Sequence, residues 1–380
     1  MKKVKFTILN TNEHMEEKVN FKISNLDSIR SIAFLSTFFA HAFYTESLTV
    51  EQSTLFRGAI YFREVFSFGV PIFFVLSGFL ITFLMLKEQE SVGFNIGKFY
   101  MRRLLRIWPL YFIILIIGFI IFPIFRTFIL HQPYEDSANP IYYVLFLSNF
   151  DQINNSALPF GIGLGPTWSV SIEEQFYLIW PLLLLLFKKK KFIYPILILI
   201  ACSLILVPIF HLQYKHTIYN VIYLSIGGLF AYFSFYHKSI LGKIVNISNW
   251  LLVGIVLLLM VIMYFHSLGY RNYSIVFGIA IIVAYLIIYQ AFSNRLQLNK
   301  IPFLERMGKY TYGLYLYHVI CNFIAHILID DMIKMEESPI TSVFIRPLIS
   351  LVLSIIISVI SYRTIEKYFF NLKHKFSNLH

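Results

Sequence analysis

The chain has 380 residues, 58% of them hydrophobic and only 14% charged, with a mean hydropathy of +0.69. A water-soluble domain carries about 45–50% apolar and about 25% charged residues, so this balance excludes a soluble enzyme and predicts an all-α, polytopic membrane bundle. The formal net charge of +12 sits in short clusters beside apolar runs, with no basic stripe interleaved with aromatics; it marks topology, not a nucleic-acid partner. Cys202 and Cys321 lie inside apolar runs without CxxC spacing, so no disulfide framework and no metal site is expected.

About twenty apolar residues cross a hydrocarbon core of roughly 30 Å as a helix. Ten segments meet that need, near 29–44, 66–86, 107–125, 168–187, 192–210, 218–236, 250–268, 273–292, 310–329 and 343–363. The first is the least secure by hydropathy, because it is short and carries Arg30 and His41. Residues 141–150 are apolar but too few to cross, which predicts a half-helix or an interfacial piece. The first 28 residues are polar, so no cleavable signal peptide is expected. The predicted organisation is a cytoplasmic segment 1–25, a membrane domain 26–365 and a cytoplasmic tail 366–380.

Cytoplasmic loops retain Lys and Arg. Lys2, Lys3, Lys5, Lys18 and Lys22 precede the first span; Lys87, Lys98, Arg102, Arg103 and Arg106 follow the second; Lys188 to Lys191 follow the fourth. Both termini are therefore expected in the cytoplasm. The 131–167 loop has no Lys or Arg but contains Glu135, Asp136 and Asp151, as an outward-facing segment should.

Charge inside a span costs about 2.5 to 3.5 kcal/mol at mid-membrane, so each such group needs a partner, an aqueous cavity or a task. Arg30 and His41 are eleven positions apart, roughly 16 Å and close to three helical turns, so they project to nearly the same face. The plain alternative is a snorkelling arginine and a neutral histidine bonded to a neighbouring helix. Arg102, Arg103 and Arg106 stand at the third span, where guanidinium forks suit phosphate oxygens; by themselves they also read as a positive-inside anchor with Trp108 in the interfacial belt. Glu173, Glu174 and Gln175 are consecutive at the outer end of the fourth span. Ser171 and Glu174 have capping-box spacing, which accounts for one acid and leaves the other. His318 in the ninth span reads as a structural histidine bonded to a tyrosine, and GIGLGP at 161–166 as an outer turn.

Four of these segments together resemble the acyltransferase family 3 of membrane O-acyltransferases. NLDSIRSIAFLSTFFAH is similar to that family's first-span arginine and histidine, GVPIFFVLSGFLIT to its second span, FYMRRLLRIWPLYF to its arginine-rich entry, and PTWSVSIEEQFYLIWP to its most recognisable block; YGLYLYH near the end is also similar. The resemblance covers about residues 25–365. Ser28 and Ser31 replace the usual glycines around the first arginine, and Pro71 replaces an acid common before the second-span phenylalanines. No hydrolase-like domain is expected after the bundle, as in the stand-alone members.

The resemblance implies transfer of an acyl group, commonly acetyl, from cytoplasmic acyl-CoA to a hydroxyl of a carbohydrate or glycoconjugate, often outside the cell, by an integral protein of a bacterial cytoplasmic membrane. It casts His41 as general base or transient acyl carrier, Glu173 or Glu174 as the carboxylate that orients it, Arg30 as a group shaping the passage, and Arg102, Arg103 and Arg106 as the site for the CoA headgroup. Competing readings are a transporter or flippase, for which the buried ionisable groups form a proton or substrate path, and a glycan polymerase, to which the acidic 131–167 loop is poorly suited. The acceptor and the oligomeric state are not encoded legibly.

Overall fold

The computed structural model describes residues 24–91, 93–129, 131, 137–155, 162–187, 189–267, 272–293, 295–373 and 376. Lys2 to Lys22, Glu135, Asp136, Gly161, Lys188, Arg271 and Lys375 lie outside the described residues. No strand occurs among those described. Ten long helices form the bundle: α1 Ser24–Ala42, α2 Gly69–Ser91, α3 Ile96–Ile116, α4 Thr167–Leu186, α5 Ile193–Phe210, α6 Thr217–Tyr236, α7 Asn249–Ser267, α8 Tyr273–Phe292, α9 Thr311–His326 and α10 Arg346–Ser361. Through a π-helical turn at Ile117–Ile121, α3 continues to Phe128.

Nine described helices are long and apolar enough to cross a membrane. The first, α1, is absent from that set, yet its 19 residues reach about 28 Å and it packs on α2 and α9 inside the bundle. Its polar residues account for the difference: Asn25, Ser28, Ser31 and Thr37 are all buried against protein. The 141–150 stretch becomes two short helices, Pro140–Val144 and Ser148–Asn154, as its length requires.

Lipid tails are as apolar as Leu, so membrane helices associate through close packing and hydrogen bonds between them. In this chain α2 and α6 meet at Gly78 and Gly227, where a Cβ would run into Leu224 and Val75 backbone oxygens. Ser350, Ser354, Ser358 and Ser361 give α10 a buried small-residue seam against α9, with Tyr317 of α9 donating its hydroxyl to Ser361 Oγ at 3.2 Å. Trp180 of α4 donates Nε1–H to Thr82 Oγ1 of α2 at 2.8 Å. These seams fix the two ends of the bundle, one holding Arg102, Arg103 and Arg106, the other holding His41.

Candidate active site

His41 is the second-last residue of α1, where the helix leaves carbonyls without intrahelical partners. Asn322 of α9 takes one of them, donating Nδ2–H to the His41 carbonyl at 3.0 Å, and Ser350 of α10 donates its hydroxyl to Asn322 Oδ1. The helix end and its imidazole are thus fixed by two neighbouring helices.

The partner of the imidazole is a second histidine. His41 Nδ1 lies 3.0 Å from His318 Nε2, and the ring centroids are 5.2 Å apart. His318 is fully buried, and its Nδ1 is 2.6 Å from the Tyr315 carbonyl oxygen one turn back on α9. A carbonyl only accepts, so His318 Nδ1 carries the proton and Nε2 of the neutral ring holds a lone pair. His41 must then donate Nδ1–H to it, which leaves the lone pair of neutral His41 on Nε2. His41 opens onto a cavity of about 1030 Å³ whose wall includes Ser67, Pro166, Trp168, Lys215, Tyr315 and His326.

The carboxylates occupy other places. The fourth helix starts at Thr167 with Pro166 as its cap, so Ser171 is one turn inside and bonds Ser148 Oγ at 2.8 Å; the capping-box reading of Ser171 and Glu174 does not hold. Glu173 and Glu174 lie six and seven residues into α4, about 9–11 Å from its start. Glu173 accepts from the Tyr177 hydroxyl at 3.1 Å, and that hydroxyl also bonds Ser77 of α2. Glu174 accepts from Trp108 Nε1 at 3.1 Å, while its Oε1 is buried without a partner. Trp108 is half-buried, and its indole N–H is turned to this acid. Gln175 turns a third way, donating to the Phe146 carbonyl at 2.8 Å and to Asn149 Oδ1 at 2.9 Å. Neither acid is bonded to His41: Glu173 accepts from Tyr177 on its own helix and Glu174 from Trp108 of α3, while the imidazole of His41 is bonded to His318.

The arginines separate in the same way. Arg102 pairs with Glu88 at 2.6 Å and donates to the Phe376 carbonyl at 2.8 Å. Arg103 lies over the rings of Tyr177 and Phe99 at 5.3 and 5.7 Å. Arg106 is exposed, and the charges of Arg30, Glu173 and Glu366 all interact with it. Arg30 is paired with Asp27 on its own helix. Arg30, Arg103, Arg106 and Glu173 therefore form one polar cluster, whereas Arg102 is already neutralised by its own acid. Neither Arg103 nor Arg106 forms an ion pair within 4 Å among the described residues. No group of three or more His, Cys, Asp or Glu among the described residues is placed to hold a metal ion.

Sequence reasoning alone did not join His318, Tyr315 and Asn322 to His41. The YGLYLYH segment contained the signal, since Tyr315 and His318 are one helical turn apart, but nothing in the spacing points to α1.

A family model described as an acyltransferase domain matches residues 23–363. The chain belongs to that acyltransferase family. Peptidoglycan O-acetyltransferase OatA of Listeria monocytogenes is 36% identical over 126 residues, 32% of this chain and 20% of the relative. O-acetyltransferase OatA of Staphylococcus aureus is 35% identical over 154 residues, 38% of this chain and 25% of the relative. An uncharacterized protein of Haemophilus influenzae is 29% identical over 238 residues, 56% of this chain and 93% of the relative. The matches to the two O-acetyltransferases thus span about a fifth to a quarter of those relatives' length. No solved structure gives a significant match. Family membership places this integral membrane protein among the acyltransferases.

Proposed function

We propose that this protein is a membrane O-acyltransferase that moves an acyl group, acetyl in the simplest case, from cytoplasmic acyl-CoA to a hydroxyl of cell-envelope carbohydrate at the extracytoplasmic face. The observation that carries the reading is the ordered chain from the Tyr315 carbonyl through His318 to His41, which leaves a basic nitrogen on the wall of a large cavity. Two relatives named as O-acetyltransferases, one of them acting on peptidoglycan, support acetyl and a cell-wall carbohydrate.

In this mechanism the acceptor hydroxyl gives its proton to His41 Nε2 as its oxygen attacks the thioester carbonyl. The new C–O bond forms, the C–S bond breaks, and the proton returns from His41 to the departing thiolate. Such general-base assistance contributes typically about 10²–10⁴-fold. A neutral histidine behind the base fixes its tautomer and ring plane without supplying a full negative charge, so His318 acts by orientation. On the donor side, Arg106 and Arg103 meet the anionic CoA headgroup, and the pantetheine arm covers the roughly 16 Å along α1 between Arg30 and His41.

The test is incubation of membranes containing the protein with radiolabelled acetyl-CoA. Label recovered on carbohydrate as an alkali-labile ester is expected. Unmodified solute accumulating in vesicles, with no ester label, would place the protein among transporters instead.

A further inference from the structure

Lys215 lies in the loop between α5 and α6 and is only 8% exposed, yet it contributes to the wall of the cavity that holds His41. Its backbone is clamped. Asn220 donates to the Tyr214 carbonyl at 2.6 Å and to the His216 carbonyl at 3.2 Å, and Asn149 donates to the Lys215 carbonyl at 3.2 Å. The ammonium donates to Gln152 Oε1 at 2.9 Å and sits 5.7 Å from the Tyr214 ring centroid. Gln152 in turn donates Nε2–H to the carbonyls of Leu164 and Gly165, both at 3.2 Å, which ties the lysine to the outer turn before α4.

Arg126 also lines this wall, and two further cations of it, Arg63 and Arg346, differ from Lys215. Arg63 pairs with Glu64 at 2.9 Å, and Arg346 with Asp330 at 2.6 Å and Glu337 at 3.0 Å. Lys215 forms no ion pair among the described residues; its one described hydrogen-bond acceptor is a neutral amide, which takes one of three N–H groups. A buried charge with no counter-charge is costly, and burial lowers the Lys215 pKa with no acid to offset it. A bound anion would remove that penalty.

We propose that Lys215 is an anion subsite of the acceptor cavity and that the acceptor is a sugar bearing a carboxylate. One uncompensated ammonium matches one unit of negative charge, which favours a carboxylate over a doubly charged phosphate monoester. Trp168 and Tyr214, with rings 5.7 Å apart, stand beside it as an amphipathic surface against which a pyranose can lie. The assignment rests on reading the cavity as the acceptor site, and it adds the class of acceptor.

The full-length protein in nanodiscs is titrated with N-acetylmuramic acid and glucuronic acid, each against its own carboxamide, and with glucose 1-phosphate; tryptophan fluorescence reports binding. At least one carboxylate sugar is expected to bind tenfold or more tightly than its amide and more tightly than the phosphate. Lys215→Met is expected to abolish that preference, and Lys215→Arg to retain it. Where the Met variant does not fold, Lys215→Gln takes its place. The proposal is overturned if neither carboxylate binds, if carboxylate and amide bind alike, if the phosphate binds more tightly, or if the neutral variant keeps the preference. Acetyl transfer is measured on the same sample. Transfer without a carboxylate preference sinks the subsite alone, and a carboxylate preference without transfer sinks the acyltransferase reading alone.

Discussion

His41 and His318, 277 positions apart in the chain, meet with Nδ1 of the first 3.0 Å from Nε2 of the second. This contact sets which nitrogen of His41 is free for chemistry. His318→Ala is expected to lower kcat about 10- to 100-fold, less than the about 10²–10⁴-fold that a general base itself contributes, and to leave KM for acetyl-CoA unchanged. His318→Gln, whose amide oxygen can accept Nδ1–H, should recover part of the loss. A parental kcat for the Ala variant would remove His318 from the mechanism.

Trp108 and Glu174 form the second contact with a measurable consequence. One carboxyl oxygen accepts the indole N–H at 3.1 Å and the other is buried without a partner. Trp108→Phe keeps the ring and removes the donor, leaving the group further unsatisfied; the expected cost is about 1–3 kcal/mol. Thermal unfolding in detergent reads this as a lowered midpoint, and Glu174→Leu in the Trp108→Phe background should restore part of it.

Close approach of α2 and α6 depends on two glycines. A side chain at Gly78 or Gly227 meets backbone, which cannot rotate away. Gly78→Val and Gly227→Val are each expected to destabilise by about 1–3 kcal/mol or more, whereas Gly254→Val on α7, where a Cβ meets nothing, should be near neutral. Equal midpoints for the three variants would contradict the packing.

At the His41 end, Arg346 donates to Asp330, Glu337 and the Tyr44 carbonyl while only 7% exposed. Arg346→Met removes the arginine from two partly buried acids, which keep His326 and Thr45 as partners, and is expected to cost about 1–3 kcal/mol. Burial alone would raise the pKa of Glu337, but hydrogen bonds from Thr45 and Arg346 outweigh it and leave the pKa below its ordinary 4.5. A depressed carboxylate contributes stability above its unfolded pKa and loses it as pH falls through the folded value. Melting temperature should therefore drop below about pH 4.5, and Arg346→Met should show a shallower drop over the same range.

The spans were legible because hydropathy needs no knowledge of partners: the predicted 273–292 coincides with α8, Tyr273–Phe292. The weak hydropathy of α1 reflects Asn25, Ser28 and Ser31, which bond or pack against other helices and never meet lipid. Ser171 looked like a cap because a capping box is a local pattern, whereas the start of α4 is fixed by the turn at 162–166. His41, Arg30 and the arginine row stood out as costly charges. The partners of His41 and Arg102 did not, because His318 and Glu88 come from other helices and are chosen by packing. The acidic 131–167 loop argued against a glycan polymerase, but loop charge says nothing about Lys215, which comes from a different connection.

The most direct measurement is the rate of acetyl transfer from labelled acetyl-CoA to carbohydrate by the reconstituted wild-type protein and by His41→Ala, with equal insertion and melting temperature established for both. Ester-linked label is expected for the wild type, with a loss of about 10²–10⁴-fold for the variant. Transfer by His41→Ala at the parental rate would contradict the role of His41 as base.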